Sequence, residues 1–104
     1  METIPLVSKY LELFRSGSKT TTVRRGRRDP ELGPVELSDG ESVEVSEIVE
    51  IRHLRLERLT DQDAVNDGFG SKSELLEALQ EFYPDLGEED EVTILVFGGD
   101  RASG

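Results

Sequence analysis

Gly17-Ser18-Lys19-Thr20-Thr21-Thr22-Val23-Arg24 joins a turn glycine, a lysine at a loop-to-strand junction, three threonines and an arginine. The β-branched residues predict a strand over 20–24, with Thr20, Thr22 and Arg24 on one face and Thr21 and Val23 on the other. Lys19 and Thr22 are three apart, so a continuous strand would point them to opposite sides; they converge only if Lys19 sits in the turn that Gly17-Ser18 can supply. A phosphate-binding P-loop is excluded. That motif follows a strand and opens a helix, with four residues between its glycines, whereas here a helical pattern precedes and a strand follows.

Upstream, Leu6, Val7, Tyr10, Leu11, Leu13 and Phe14 recur at helical spacing, predicting a helix over 5–16 that Gly17 stops. Downstream, the breakers Asp29-Pro30 and Gly33-Pro34 make the arginine-rich stretch a loop, followed by a short strand over 35–37 and a turn at Ser38-Asp39-Gly40. From Val43 the apolar positions are odd (Val43, Val45, Val49, Ile51) and then even (Leu54, Leu56), which predicts a long bent strand that changes face near Arg52-His53. Thr60-Asp61-Gln62-Asp63 opens a brief helix that Gly68-Phe69-Gly70 breaks. Ser71 and Glu74 form a capping-box signature before a helical stripe of Leu75, Leu76, Leu79, Phe82 and Tyr83 that Pro84 ends. Glu91 to Phe97 is apolar on nearly both faces, as in a strand buried inside a barrel. The segment 98–104 reads as a disordered tail. Five to six strands with two main, irregularly placed helices predict a single α+β domain over 1–104, a small mixed β-barrel whose closure removes sheet edges.

The chain has 104 residues, 35% of them hydrophobic, with no cysteine and one histidine. These numbers exclude a disulfide framework, thiol catalysis and a multi-histidine zinc site within one chain. No apolar stretch approaches a membrane span or a signal h-region, so a cytoplasmic protein without a membrane partner is expected. The net charge is −11, but Arg15, Lys19, Arg24, Arg25, Arg27 and Arg28 fall in fourteen positions that hold no carboxylate. The other ninety residues therefore set six cations against all 23 acids, a net −17. A basic strip on an acidic body focuses an anion onto one place, as for phosphate or RNA; equally, the arginines could form a solvated loop that pairs with neighbouring carboxylates. The acidity fits adaptation to high salt or an ordinary acidic protein. His53, where the long strand changes register, reads as a structural or exposed histidine.

Four stretches, taken together and in order, resemble the ASCH domain, a branch of the PUA-like barrels: G-S-K-T-T-T-V-R, then L-S-D-G-E-S-V-E-V, then L-T-D-Q-D-A-V-N-D-G-F-G-S-K-S-E-L with Tyr83-Pro84, and finally E-V-T-I-L-V-F. The resemblance runs from about Leu11 to Phe97. It implies a PUA-like barrel with a cleft suited to RNA or a modified nucleoside; the expected binding residues are Thr20 and Arg24 from the strand alternation, Arg25, Arg27 and Arg28 from the basic strip, and Phe69, which stacks on a base unless it packs in the core. Some small bacterial members look like N4-acetylcytidine amidohydrolases with a lysine, a threonine and a glutamate as the catalytic set. On this sequence the lysine is Lys19, the threonine Thr22, and the carboxylate falls on Asp67, one methylene shorter than the family's glutamate. No cofactor or metal is expected. A monomer is expected. A protein adaptor whose acidic body docks a basic partner is a third reading.

Overall fold

The computed structural model describes residues 2–98. Its strands are β1 (Glu2–Pro5), β2 (Thr21–Arg25), β3 (Gly33–Ser38), β4 (Val43–Arg55) and β5 (Glu91–Gly98); its helices are α1 (Ser8–Ser16), α2 (Asp61–Asn66) and α3 (Lys72–Phe82), with a single 3-10 turn at Leu56–Arg58. They build a mixed α+β fold on one curled, half-barrel sheet of order β1-β3-β4-β5-β2. Only β1 and β3 run parallel; the other neighbours are antiparallel.

The expected closure does not occur. β1 and β2 end the sheet as edges, and the Arg24 guanidinium bridges the seam by donating from Nη2 to the Pro5 carbonyl. β5 is covered on both faces. Leu95 and Phe97 pack with Leu11 and Phe14 of α1, while Val92 and Ile94 pack with Leu75 and Leu79 of α3. That two-sided burial is why β5 shows so little polar alternation.

Several boundaries differ from the sequence reading. Residues 2–5 form β1, and α1 starts only at Ser8, because Leu6 continues the β1–β3 ladder by donating its N–H to the Ser38 carbonyl at 2.9 Å. β4 is one long strand, but its irregularity lies between Ile48 and Glu50, not at Arg52-His53. Val43, Val45 and Val49 consequently lie exposed, and the inward positions before the bulge are Glu44, Ser46 and Ile48. Periodicity reported the strand and misassigned its faces. At α3, Ser71 accepts from the Glu74 N–H as expected, yet the Glu74 carboxylate accepts from the Gly70 N–H instead of closing a capping box; the reciprocal box forms at Thr60 and Asp63 of α2. The expected tail lies outside the described residues except for Gly98, which ends β5. Among the described residues no helix is long and apolar enough to cross a membrane.

Candidate active site

Gly17 ends α1 in the left-handed conformation (φ 87°), and the N–H groups of Ser18 and Lys19 then both donate to the Leu13 carbonyl. This tight exit holds Lys19 in the turn before β2, off the strand pleat, and sends its side chain inward. The α2 segment meets it from the other side. Thr20 donates its N–H to the Asn66 carbonyl at 2.7 Å, and Asp67 caps the C-terminus of α2. Gly68 (φ 97°) lets the chain turn away; a Cβ there would stand 3.0 Å from Leu13 Cδ1 and 3.5 Å from Lys19 Cβ.

The two charged side chains brought together are almost completely buried, Lys19 at 3% exposure and Asp67 at 4%. Lys19 Nζ donates to Asp67 Oδ1 at 2.9 Å and to the Asp67 carbonyl at 3.3 Å; Thr21 Oγ1 donates to the same carboxylate oxygen at 3.0 Å. Lys19 Nζ also lies 5.4 Å from the centre of the Tyr10 ring. Burial pushes the Lys19 amine below the ordinary lysine value, against the opposing pull of Asp67 and with a smaller push from Arg24. Burial likewise raises Asp67, against the stabilising effect of Lys19, Thr21 and Arg24. Both shifts favour the uncharged forms, so a neutral amine lies closer in energy here than on a surface lysine.

Lys19, Thr22, Arg24, Asp67 and Phe69 all line one cavity of about 630 Å³ along the free edge of β2, with Tyr10, Phe82 and Tyr83 among its aromatic walls. Its volume falls in the range of small-molecule sites, about 300 to 1,000 Å³. Phe69 meets Tyr10 edge-on with ring centres 5.8 Å apart. Thr22 is buried and lines the cavity, and its hydroxyl has no hydrogen-bond partner among the described residues. Arg24 Nε is buried with no hydrogen-bond partner among the described residues. Burial lowers the Arg24 guanidinium from its ordinary value, yet an arginine stays charged.

The remaining candidates lie elsewhere. Thr20 precedes β2, is exposed, and lines a shallow surface depression with Asn66 and Gly68 instead of the cavity. Arg25 grips Asp85 through two hydrogen bonds of 2.8 and 3.2 Å, and Arg27 pairs with Glu91 and Asp29 at 3.3 and 3.4 Å. Arg28 is fixed by its backbone: its N–H donates to Thr93 Oγ1, and its carbonyl contacts His53 Nε2, which also lies 3.1 Å from Asp29. The arginine loop is thus threaded with the chain's own carboxylates. Sequence reasoning missed Thr21, whose hydroxyl shares the Asp67 oxygen, and Tyr10, which reads only as part of the apolar face of α1. For Thr21 the signal was the third hydroxyl of the run; for Tyr10 there was none.

No protein-family model and no curated protein sequence matches the chain. Solved structures do. The ASCH domain from Lactobacillus crispatus superposes with a TM-score of 0.75 at 15% identity, covering 92% of this chain and 78% of that one. This chain has the ASCH fold. ASCH from Zymomonas mobilis gives a TM-score of 0.65 at 19% identity over 93% of this chain, which spans 66% of the Zymomonas chain. In the ASCH fold of this protein the cavity occupies the open seam between β1 and β2, where Pro5 and Thr22 both line it.

Proposed function

We propose that this ASCH-fold protein is an amidohydrolase that removes the acyl group from an N4-acylated cytidine. The observation that carries the reading is the buried Lys19–Asp67 pair in the same cavity as Thr22, whose hydroxyl has no hydrogen-bond partner among the described residues. A threonine is a weak nucleophile until a base takes its proton, and a lysine is a base only when neutral. Burial moves Lys19 toward that state, and the resemblance of residues 17–24 to the amidohydrolase-type ASCH motif assigns the same pair.

In this mechanism Lys19 Nζ takes the Thr22 proton while Thr22 Oγ attacks the acyl carbon. The resulting oxyanion lies within a cavity whose wall carries the Arg24 cation. Collapse breaks the bond from the acyl carbon to N4, and Lys19 returns its proton to the departing amine. Water then attacks the threonyl ester, Lys19 accepts a proton from that water, and the acid leaves as Thr22 regains its hydrogen. Asp67 orients Lys19 throughout through the 2.9 Å contact. Tyr10, Phe69 and Phe82 supply flat apolar walls for the base.

A small uncharged nucleoside suits this site better than an RNA backbone. Arg25 and Arg27 are engaged by Asp85, Glu91 and Asp29, and the body around them is acidic. RNA binding is the rival reading, with Arg24 and Arg28 as the remaining phosphate contacts. The deciding experiment offers the purified protein free N4-acetylcytidine and, separately, an oligoribonucleotide containing the same base. Release of cytidine from the nucleoside, abolished by Thr22→Val, is expected. Tight, salt-sensitive retention of the oligonucleotide with no hydrolysis of either substrate would replace the amidohydrolase with a binding module.

A further inference from the structure

Helices α2 and α3 cover only part of the outer face of the sheet. Over β3 and β4 that face is bare: Val43, Val45 and Val49 are 50%, 61% and 46% exposed. Register places Glu36 beside Val45, Pro34 beside Glu47 and Ser38 beside Val43. Beyond the bulge, Glu50 pairs with Val96 of β5, on the side that α3 packs against. The charge of this region is one-sided. Between Arg28 and Arg52 the chain has eight carboxylates, Asp29, Glu31, Glu36, Asp39, Glu41, Glu44, Glu47 and Glu50, and not one Lys, Arg or His. Neither Glu47 nor Glu50 has an ion-pair partner among the described residues.

Valines on the solvent face of a central strand contribute nothing to the core, and a rim of unpaired glutamates repels nucleic acid and anionic lipid alike. Because β4 is flanked by β3 and β5, its backbone is already paired and an extra strand cannot add to it. What can cover such a face is what covers the other half of it in this protein: a helix laid on the sheet. We propose that the outer face of β3 and β4 docks an amphipathic, basic helix of a partner protein, its apolar stripe on Val43, Val45 and Val49 and its lysines or arginines on Glu36, Glu47 and Glu50. From Val43 to Val49 the strand spans about 20 Å at ~3.3 Å per residue, which about thirteen helical residues match at 1.5 Å each. This site lies apart from the cavity and does not depend on the amidohydrolase reading.

The test titrates the isotope-labelled protein with a synthetic 18-residue leucine-lysine peptide patterned as an amphipathic helix. A peptide of the same composition in scrambled order and one with glutamate for lysine serve as controls, and amide shifts are mapped throughout. Perturbations confined to residues 34–36 and 43–50 are expected for the patterned peptide alone. Val45→Lys should weaken binding at least tenfold, and Glu47→Gln with Glu50→Gln should flatten its salt dependence. Val43→Thr with Val45→Thr, milder changes on an exposed face, should weaken it several-fold while circular dichroism stays unchanged. Equal binding of the scrambled peptide, shifts centred on the cavity or α3, binding to phosphatidylserine vesicles through the same face, or a self-associated dimer that Val45→Lys dissociates would each overturn the proposal.

Discussion

At Lys19 two opposing influences meet, and burial outweighs the neighbouring carboxylate. The rate should therefore rise with pH as Lys19 loses its proton and level off above a midpoint lying below the usual lysine range. Asp67 holds the proton on Lys19, so Asp67→Asn should move that midpoint to lower pH in whatever activity it retains; a pH profile of kcat/KM for both proteins checks the sign. Asp67→Ala is a different perturbation. It leaves a buried amine without its partner and should cost about 3–5 kcal/mol of stability, read by urea unfolding, with the loss shrinking as pH rises and Lys19 becomes neutral. At the nucleophile, Thr22→Ser should keep measurable turnover and Thr22→Val none. Residues 17–24 were legible in advance to a useful degree, because turn glycine, lysine and β-branched run have local conformational meanings. Thr20 was not. Its alternation with Thr22 is real in a strand, but β2 begins one residue later, and Thr20 turns to Asn66 instead.

The elements around the site are held by turns as much as by apolar packing. Gly68 combines a positive φ with a contact that a methyl group would crowd against Leu13. Gly68→Ala should cost about 1–2 kcal/mol from the left-handed backbone alone and loosen the Lys19–Asp67 contact, so activity should fall more than stability does. The turn from β3 to β4 is fixed by Asp39, which accepts from the N–H groups of Glu41 and Ser42 at 2.9 and 2.7 Å and from Ser8 Oγ at 2.8 Å. These bonds hold its carboxyl at about 2, below the ordinary aspartate value of 3.8. A depressed acid stabilises above its unfolded value, so this contribution is present above about pH 4 and lost as pH falls through 2. Asp39→Asn should destabilise at neutral pH and much less near pH 2, as urea titrations at the two pH values would show. The helices and β5 could be read from periodicity and caps. β1 could not, since four residues ending in proline carry little pattern, and the faces of β4 could not, since a bulge at Val49 reverses inside and outside without altering composition.

For the whole molecule, a net charge of −11 gathered around one arginine loop means that most of the surface repels itself. Added salt screens that repulsion, so the melting temperature should rise between ~0.05 M and ~1 M sodium chloride, and calorimetry at the two concentrations checks it; a fall would mean that the arginine pairs with Asp85, Glu91 and Asp29 matter more than the general field. The open seam of the half-barrel was the feature least visible in the sequence. An edge strand and a closed-barrel strand have the same alternation, and only the strand order shows that β1 and β2 stay apart and leave room for a cavity. What that cavity does rests on whether its buried lysine acts as a base. The direct measurement is cytidine release from N4-acetylcytidine by the wild type, Lys19→Ala and Lys19→Arg side by side, with folding of each confirmed by circular dichroism. Both variants should fall to background, because arginine keeps the charge and cannot take the proton; turnover by Lys19→Arg near the wild-type rate would contradict the account.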